Sequence, residues 1–339
     1  MRPLASRLRR RGRRYEEPAL EHLSAEDHAY LDAGYDPSVP LPEDADHELR
    51  DDHPRLTELR RSYAALDLPV REHSRWRAEA IDRYLDLRYF RGETLFTWHY
   101  REPRRLTELK YYVWTRYVRD TDRLGLFDRL TEDGAFGCWH FDFEGQPRVS
   151  RDLLESIGEL DFLDRSLRLA DRERFSVLDI GAGYGRLAHR MIGAFRGVRD
   201  YACVDAIPEA TFIAGYYLRY RGCTPPARVV PLDRIGDLAP GGFDLAVNVH
   251  TFSECTLRAI AWWAAELRRL EVPRLFLVPN EPEGMLSTEV DRTRRDFLPA
   301  LESAGYRLAH REPVVRDGSV RELLQLRDHY HLFELAPSA

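Results

Sequence analysis

The sequence predicts an α/β protein: a mostly parallel seven-stranded sheet, closed by an antiparallel C-terminal hairpin and preceded by a helical N-terminal extension. Three observations predict it. From Phe175 onward, short apolar runs alternate with longer segments of helical period, the pattern of a parallel sheet covered on both faces. The stretch "VLDIGAGYGR", residues 177–186, places Gly181, Gly183 and Gly185 between a strand and a helix, where such sheets bind ligands. The chain closes on two apolar strands, "YRLAHREPVV" and "HYHLFEL", with no helical period between them.

Each element follows in order. Residues 1–54 open on the arginine-rich "MRPLASRLRRRGRRY" and turn acidic, with Glu16 to Asp52 broken by prolines. This composition predicts a charged, partly disordered segment. Residues 55–149 predict a mainly helical, aromatic-rich substrate or lid region, with helices over "RLTELRRSYAAL" and "SRWRAEAIDRYLDLRYF" and aromatics through "LKYYVWTRYVRDTDRLGLF". In "CWHFDFEG", Phe141 and Phe143 share one face and His140, Asp142 and Glu144 the other, as in a short strand or hairpin arm.

The ligand-binding domain is predicted over 150–339. Ser150 is a predicted N-cap for a helix carrying Leu153, Leu154, Ile157, Leu160, Leu163 and Leu167 at spacings of three and four. Strand "FSVLDI", a helix from Tyr184 to Phe195, strand "YACVD", helix "PEATFIAGYYLRYR" and strands "ARVVPL" and "FDLAVNVH" come next. Helix "LRAIAWWAAELRRL", strand "RLFLVPN", helix "RRDFLPALESAG" and the closing hairpin complete the series.

Composition narrows the function classes. With 339 residues, 43% of them hydrophobic, the chain can bury a large core. A formal charge of −6 argues against nucleic-acid binding through bulk phosphate attraction. No apolar run approaches the roughly 18 residues of a membrane helix, and the N-terminus lacks a secretory apolar core. Neither nucleic acid nor membrane is an expected partner. Cys138, Cys203, Cys223 and Cys255 are scattered without Cys-x-x-Cys spacing, which fits reduced thiols in a cytoplasmic protein and no zinc site.

A dinucleotide fingerprint wants its third glycine where this chain has Arg186, and a phosphate loop needs Gly-Lys-Ser/Thr, whereas the only lysine is Lys110. What remains, acid-x-Gly-x-Gly-x-Gly, resembles motif I of the class I S-adenosylmethionine-dependent methyltransferases. The resemblance implies their Rossmann-like fold, with Asp179 as the motif acid and Asp205, at the end of "YACVD", accepting both ribose hydroxyls. It also implies Asp233 near the adenine amino group, and Asn248 and His250 facing the methionine half and the acceptor.

The stretch after the fourth strand, "NVHTFSEC", lacks the Asn/Asp-Pro-Pro-Tyr/Phe of base N-methyltransferases. Together with "SRDLLESIGELDFLDR" and "VLDIGAGYGRLA" it looks like the sugar O-methyltransferases of natural-product biosynthesis, antibiotic biosynthesis included. That implies a small-molecule glycoside as the partner. His250 is the first candidate general base, since imidazoles titrate near neutral pH, and Glu254 is placed to orient it or to act as base. Arg151 and Asp152, and more distantly His140 and Asp142, are candidates on the substrate side. No metal is predicted, because no adjacent acid pair follows the fourth strand. A homodimer is compatible with the sequence. N-methylation of an aminosugar, a nicotinamide-dependent oxidoreductase and a non-catalytic partner protein are the rival readings.

Overall fold

Strand residues point alternately to the two faces of a sheet, and in this chain both sets are apolar, so both faces have to be covered. The computed structural model describes Ala29 and residues 33–97, 99–100, 102–280 and 284–336. Most of the arginine-rich and acidic start, through residue 28, therefore lies outside the described residues, as do residues 30–32.

Ahead of the sheet come α1 (Pro54–Ala64), α2 (Ala78–Tyr84) and α3 (Arg104–Thr121), then a two-residue ribbon pairing His140–Phe141 antiparallel with Val149–Ser150. α2 is shorter than the helix predicted over 74–90. Asp86 Oδ1 accepts the amides of Arg88 (2.9 Å) and Tyr89 (3.3 Å), a local turn that competes with helical bonding. Its N-terminal side is drawn away by Trp76, which bonds elsewhere.

The Ser150 side chain accepts the Leu153 amide, the expected N-cap, and opens α4 (Arg151–Leu167). Then follow β1 (Phe175–Ile180), α5 (Arg186–Ala194), β2 (Val198–Val204), α6 (Pro208–Tyr220), β3 (Ala227–Val229) and β4 (Leu245–Val249). The chain continues through α7 (Leu257–Arg269), β5 (Arg274–Val278), α8 (Leu298–Ser303), β6 (Tyr306–Pro313), α9 (Gly318–Leu324) and β7 (His329–Leu335). The strand order is β3-β2-β1-β4-β5-β7-β6, and only β7 runs against its neighbours. This is the mostly parallel, Rossmann-like sheet with an antiparallel closing hairpin that the sequence predicts.

Two connections differ from expectation. α9 stands between the closing strands where no helix was predicted; Asp317 caps it by accepting the Ser319 and Val320 amides at 2.9 Å each. Two turns are too few for a helical period to register. α8 begins four residues late, because residues 295 and 297 pair back onto 287 and 285 through bonds of 2.8 Å, and Pro299 suits a first helical turn.

Alternate strand residues feed two cores. Leu178, Ile180, Ala202 and Val204 pack with α1, α6 and α7 on one face, and Val177, Tyr201 and Cys203 pack with α3, α4 and α5 on the other. Ala45 and Leu49, from the acidic stretch, are buried in the first core. α1 lies on α6, where the Tyr63 hydroxyl bonds the Thr211 hydroxyl and accepts the Leu232 amide, each at 2.8 Å. α3 lies on α4 and α9. The N-terminal region thus clasps both faces, and its intervening residues meet the loops at the carboxyl ends of β1 and β4. Among the described residues no helix is long and apolar enough to cross a membrane.

Candidate active site

The loop from β1 to α5 is where the glycines act, and all three hold positive φ, at +71°, +57° and +87° for Gly181, Gly183 and Gly185. Each has its own reason to lack a side chain. A Cβ on Gly181 would lie 2.5 Å from Thr251 Cγ2 and closer still to its hydroxyl, so the loop end of β4 approaches the bare backbone. A Cβ on Gly183 would point at the Phe96 ring, 3.3 Å away, on the cleft side. A Cβ on Gly185 would meet Leu218 of α6 at 3.1 Å, so this glycine serves helix packing instead of the cleft. Arg186, in the third-glycine position of a dinucleotide loop, makes a two-pronged bond to Glu159 (2.8 Å each) and a third to Ser156 (2.8 Å), tying the loop to α4.

Two aspartates sit at the ends of adjacent strands. Asp205 accepts the Gly183 amide on Oδ2 (3.0 Å) and the Ile207 amide on Oδ1 (2.9 Å); burial pushes its carboxyl up to about 7 against the pull of these amides. Asp179 accepts the Tyr201 hydroxyl (2.8 Å), and burial likewise pushes it up to about 7. Tyr201 therefore fixes the Asp179 carboxyl.

A cleft of about 1410 Å³, counting space open to solvent, lies over this loop. It brings together Asp179, Gly181, Gly183, Asp205, Arg151, Asp152, His250 and Glu254 of the predicted residues. His250 reaches it through a left-handed backbone (φ +65°), a conformation that costs a non-glycine residue of order 1–3 kcal/mol. Asn248 does not face the cleft as expected. It is fully buried, donating Nδ2 to the Ile180 carbonyl (2.9 Å) and accepting the Phe252 amide (3.1 Å), so it braces β4 against β1. Asp233 is exposed on the 3-10 turn Leu232–Asp237, away from the cleft lining. His140 pairs with Asp36 (3.2 Å) and Asp142 with Arg148 (3.0 Å), and neither lines the cleft, because the ribbon holds them elsewhere.

The charge of the lining is lopsided. Glu72, Asp152, Glu155, Asp179, Asp205 and Glu254 contribute to it against Arg151 and Arg186. Arg186 is held by Glu159, and Arg151 bonds Glu155 (2.7 Å). Burial would raise the Glu155 carboxyl, but Arg151 and then His250 draw it below the usual carboxylate range. Glu254 gives both carboxylate oxygens to the N-terminal region, accepting Trp76 Nε1 (2.8 Å) and Arg75 Nη1 (3.2 Å).

Sequence reasoning missed His73, Trp76, Phe96 and Glu155, which line the same cleft. Burial and then Arg71 pull the His73 imidazole down to about 4, so it is neutral at pH 7. Only Glu155 left a signal, four residues after Arg151 on a helix. Asp152 has a different setting from the one expected. Its Oδ2 accepts Arg91 Nη2 (2.7 Å) and the Tyr184 hydroxyl (2.7 Å), while Arg91 and Arg190 also bond Glu132 (2.7 and 2.9 Å). Burial would raise both carboxyls, yet the two guanidiniums hold them well below the carboxylate range. This four-membered ion cluster is entirely buried.

No family model matches the chain, and no curated protein matches it in sequence. Solved structures do match. They include the [4+2]-cyclase SpnF, at 14% identity over 69% of this chain and 96% of that one, with a TM-score of 0.41. The mitomycin 7-O-methyltransferase MmcR matches at 18% identity over 54% of this chain and 57% of its own, with a TM-score of 0.40. The Burkholderia thailandensis 1,6-didemethyltoxoflavin-N1-methyltransferase, with 1,6-didemethyltoxoflavin and S-adenosylhomocysteine bound, also matches at 18%, over 54% and 79%, with a TM-score of 0.40. At these identities the likeness concerns the fold and assigns no reaction to this chain.

Proposed function

We propose that this chain is an S-adenosylmethionine-dependent methyltransferase that methylates a hydroxyl of a sugar or sugar-containing small molecule. One observation carries the cofactor reading: Asp205 lies beside the bare backbone of Gly183 over the glycine loop, while both arginines of the cleft lining are already paired with carboxylates of the chain. The phosphates of a dinucleotide or nucleoside triphosphate would find both guanidiniums of that lining already taken by carboxylates. S-adenosylmethionine has no phosphate and needs no such guanidinium.

The residues present fit it in kind. Asp205 has lone pairs beyond those taken by the Gly183 and Ile207 amides, enough to accept a ribose diol. Gly183 has no side chain to fill the space between the loop and the Phe96 ring. When bound, the cofactor supplies an electrophilic methyl group on a sulfonium sulfur. His250 is the proposed base that removes the acceptor's proton, a role contributing about 10² to 10⁴ in rate. Glu155, kept ionised by Arg151 and drawn down by His250, would stabilise the imidazolium that results. Trp76 and Phe96 bring apolar surface to the lining and help to exclude water. The four cysteines are free, which suits a reducing compartment such as the cytoplasm.

Carboxylates in the cleft lining also suit a cationic acceptor, so N-methylation of an aminosugar is the second reading. Calorimetric titration with S-adenosylhomocysteine and with NAD tests the cofactor. Mass spectrometry of products from a glycoside and aminoglycoside panel, with fragmentation, places the methyl on oxygen or nitrogen. Binding of NAD with no heat from S-adenosylhomocysteine would overturn the reading in favour of an oxidoreductase. Cofactor binding without turnover on any acceptor would point to a non-catalytic partner protein.

A further inference from the structure

Between the 3-10 turn Pro69–Arg71 and α2, residues 72–77 have no helix of their own, and Glu72, His73 and Trp76 among them line the cleft. Their attachments to the sheet region converge on Glu254, at the end of the 3-10 turn Thr251–Glu254. Ser74 Oγ donates to the Glu254 carbonyl (2.6 Å), Arg75 Nη1 to Oε1 (3.2 Å) and Trp76 Nε1 to Oε2 (2.8 Å). A single bridge joins His73 to the next residue, Cys255. Farther out, Arg77 Nη2 donates to the Val290 carbonyl (2.8 Å).

Trp76 in turn stands 5.0 Å from Phe96, and Phe96 stands 5.8 Å from Tyr184 of the glycine loop. The Phe96 ring also faces the bare backbone of Gly183, whose amide is bonded to Asp205. The strap, the Phe96 ring and the loop therefore form one run of ring contacts, tilted and edge-on, over the place where a ligand would meet Gly183 and Asp205. The ion pair in the latch is partly exposed, with side-chain exposures of 31% for Arg75 and 16% for Glu254. Bonds of that kind exchange with water at modest net cost.

The geometry points to Glu254 as a positioning residue: its carboxylate latches residues 72–77 over the glycine loop, and this strap lifts to admit and release a nucleoside-containing ligand. The binding half of this inference rests on the cofactor reading above, and the latch itself does not. With both oxygens taken by the strap, Glu254 is assigned to holding the roof of the site instead of to proton transfer.

Hydrogen exchange by mass spectrometry and stopped-flow binding of S-adenosylhomocysteine, on the full chain, test it. Glu254→Ala should speed exchange across residues 73–77 by about tenfold or more while β1 and β4 stay protected. Trp76→Phe, which removes one donor, should fall between that variant and the parent. Association and dissociation rate constants for S-adenosylhomocysteine should both rise several-fold in Glu254→Ala, with a smaller change in their ratio. A merely structural role would change affinity or global protection without raising both rates. Unchanged exchange in residues 73–77 overturns the latch, and faster exchange with unchanged rate constants overturns the gate. If Glu254→Ala loses protection in β1 and β4, Trp76→Phe decides by the same two measurements. Absence of S-adenosylhomocysteine binding to the parent chain overturns the cofactor reading, while the exchange data still decide the latch.

Discussion

If Asp205 holds a ribose diol, it must be ionised to accept both hydroxyls, yet burial has pushed it up from 3.8 to about 7. Ligand affinity should therefore depend on pH through the neutral range. For a carboxyl titrating at about 7, the ionised fraction is roughly 9% at pH 6, 50% at pH 7 and 91% at pH 8. Binding that selects the ionised form weakens roughly fivefold from pH 7 to pH 6 and tightens about twofold from pH 7 to pH 8, releasing about half a proton at pH 7. Calorimetry with S-adenosylhomocysteine, in buffers of different ionisation heat, measures both quantities. Asp205→Asn removes the titration and the charge; its affinity should be flat across this range and about tenfold or more weaker at pH 8. A parent affinity that is flat with pH, or that falls as pH rises, would refute the reasoning. The sign in the ligand-free protein is opposite. A carboxyl raised on folding contributes stability that is complete below pH 3.8 and lost as pH rises through about 7. Asp179, raised to about 7 as well, adds to the same slope.

Gly181→Ala should lower the melting temperature by several degrees, since its new methyl meets Thr251 in a left-handed backbone costing of order 1–3 kcal/mol. Gly183→Ala should cost cofactor affinity more than Gly181→Ala does, relative to its effect on melting, because its methyl enters the cleft. Arg91→Ala leaves Glu132 and Asp152 short of a buried partner and should destabilise the fold by about 3–5 kcal/mol in urea unfolding. His250→Gln should cut turnover on an accepted glycoside by about 10² or more with S-adenosylhomocysteine affinity changed less than threefold. Equal turnover in that variant removes His250 as the base. Turnover should survive a chelator unchanged, and loss in chelator restored by magnesium would refute metal independence.

The strands, the glycine loop and the Ser150 cap were legible because each is written in a local period or a short spacing. α9 was not, since two turns leave no period to detect, and neither was the early end of the helix near Tyr84, which hangs on one Asp86 side chain. Asn248 is the instructive site residue. Its position at the end of β4 was readable, but the direction of its amide was set by two backbone groups, one of them 68 residues away at Ile180. For the same reason Trp76 and Phe96 were not singled out: what they cover lies far along the chain. Arg91, 61 residues from Asp152, looked like one arginine among many.

The buried four-membered ion cluster has a consequence for how the N-terminal region finds its place. Arg91 and Glu132 come from that region and bond each other, Asp152 and Arg190 come from the sheet and its helices, and the bonds Arg91–Asp152 and Arg190–Glu132 cross between the two. Each side therefore brings one cation and one anion to the joint and carries no net charge into it. Such a joint exerts no long-range pull and offers ionic strength little to screen. It works as a keyed fit, admitting one register of the two halves and breaking both cross bonds in any other.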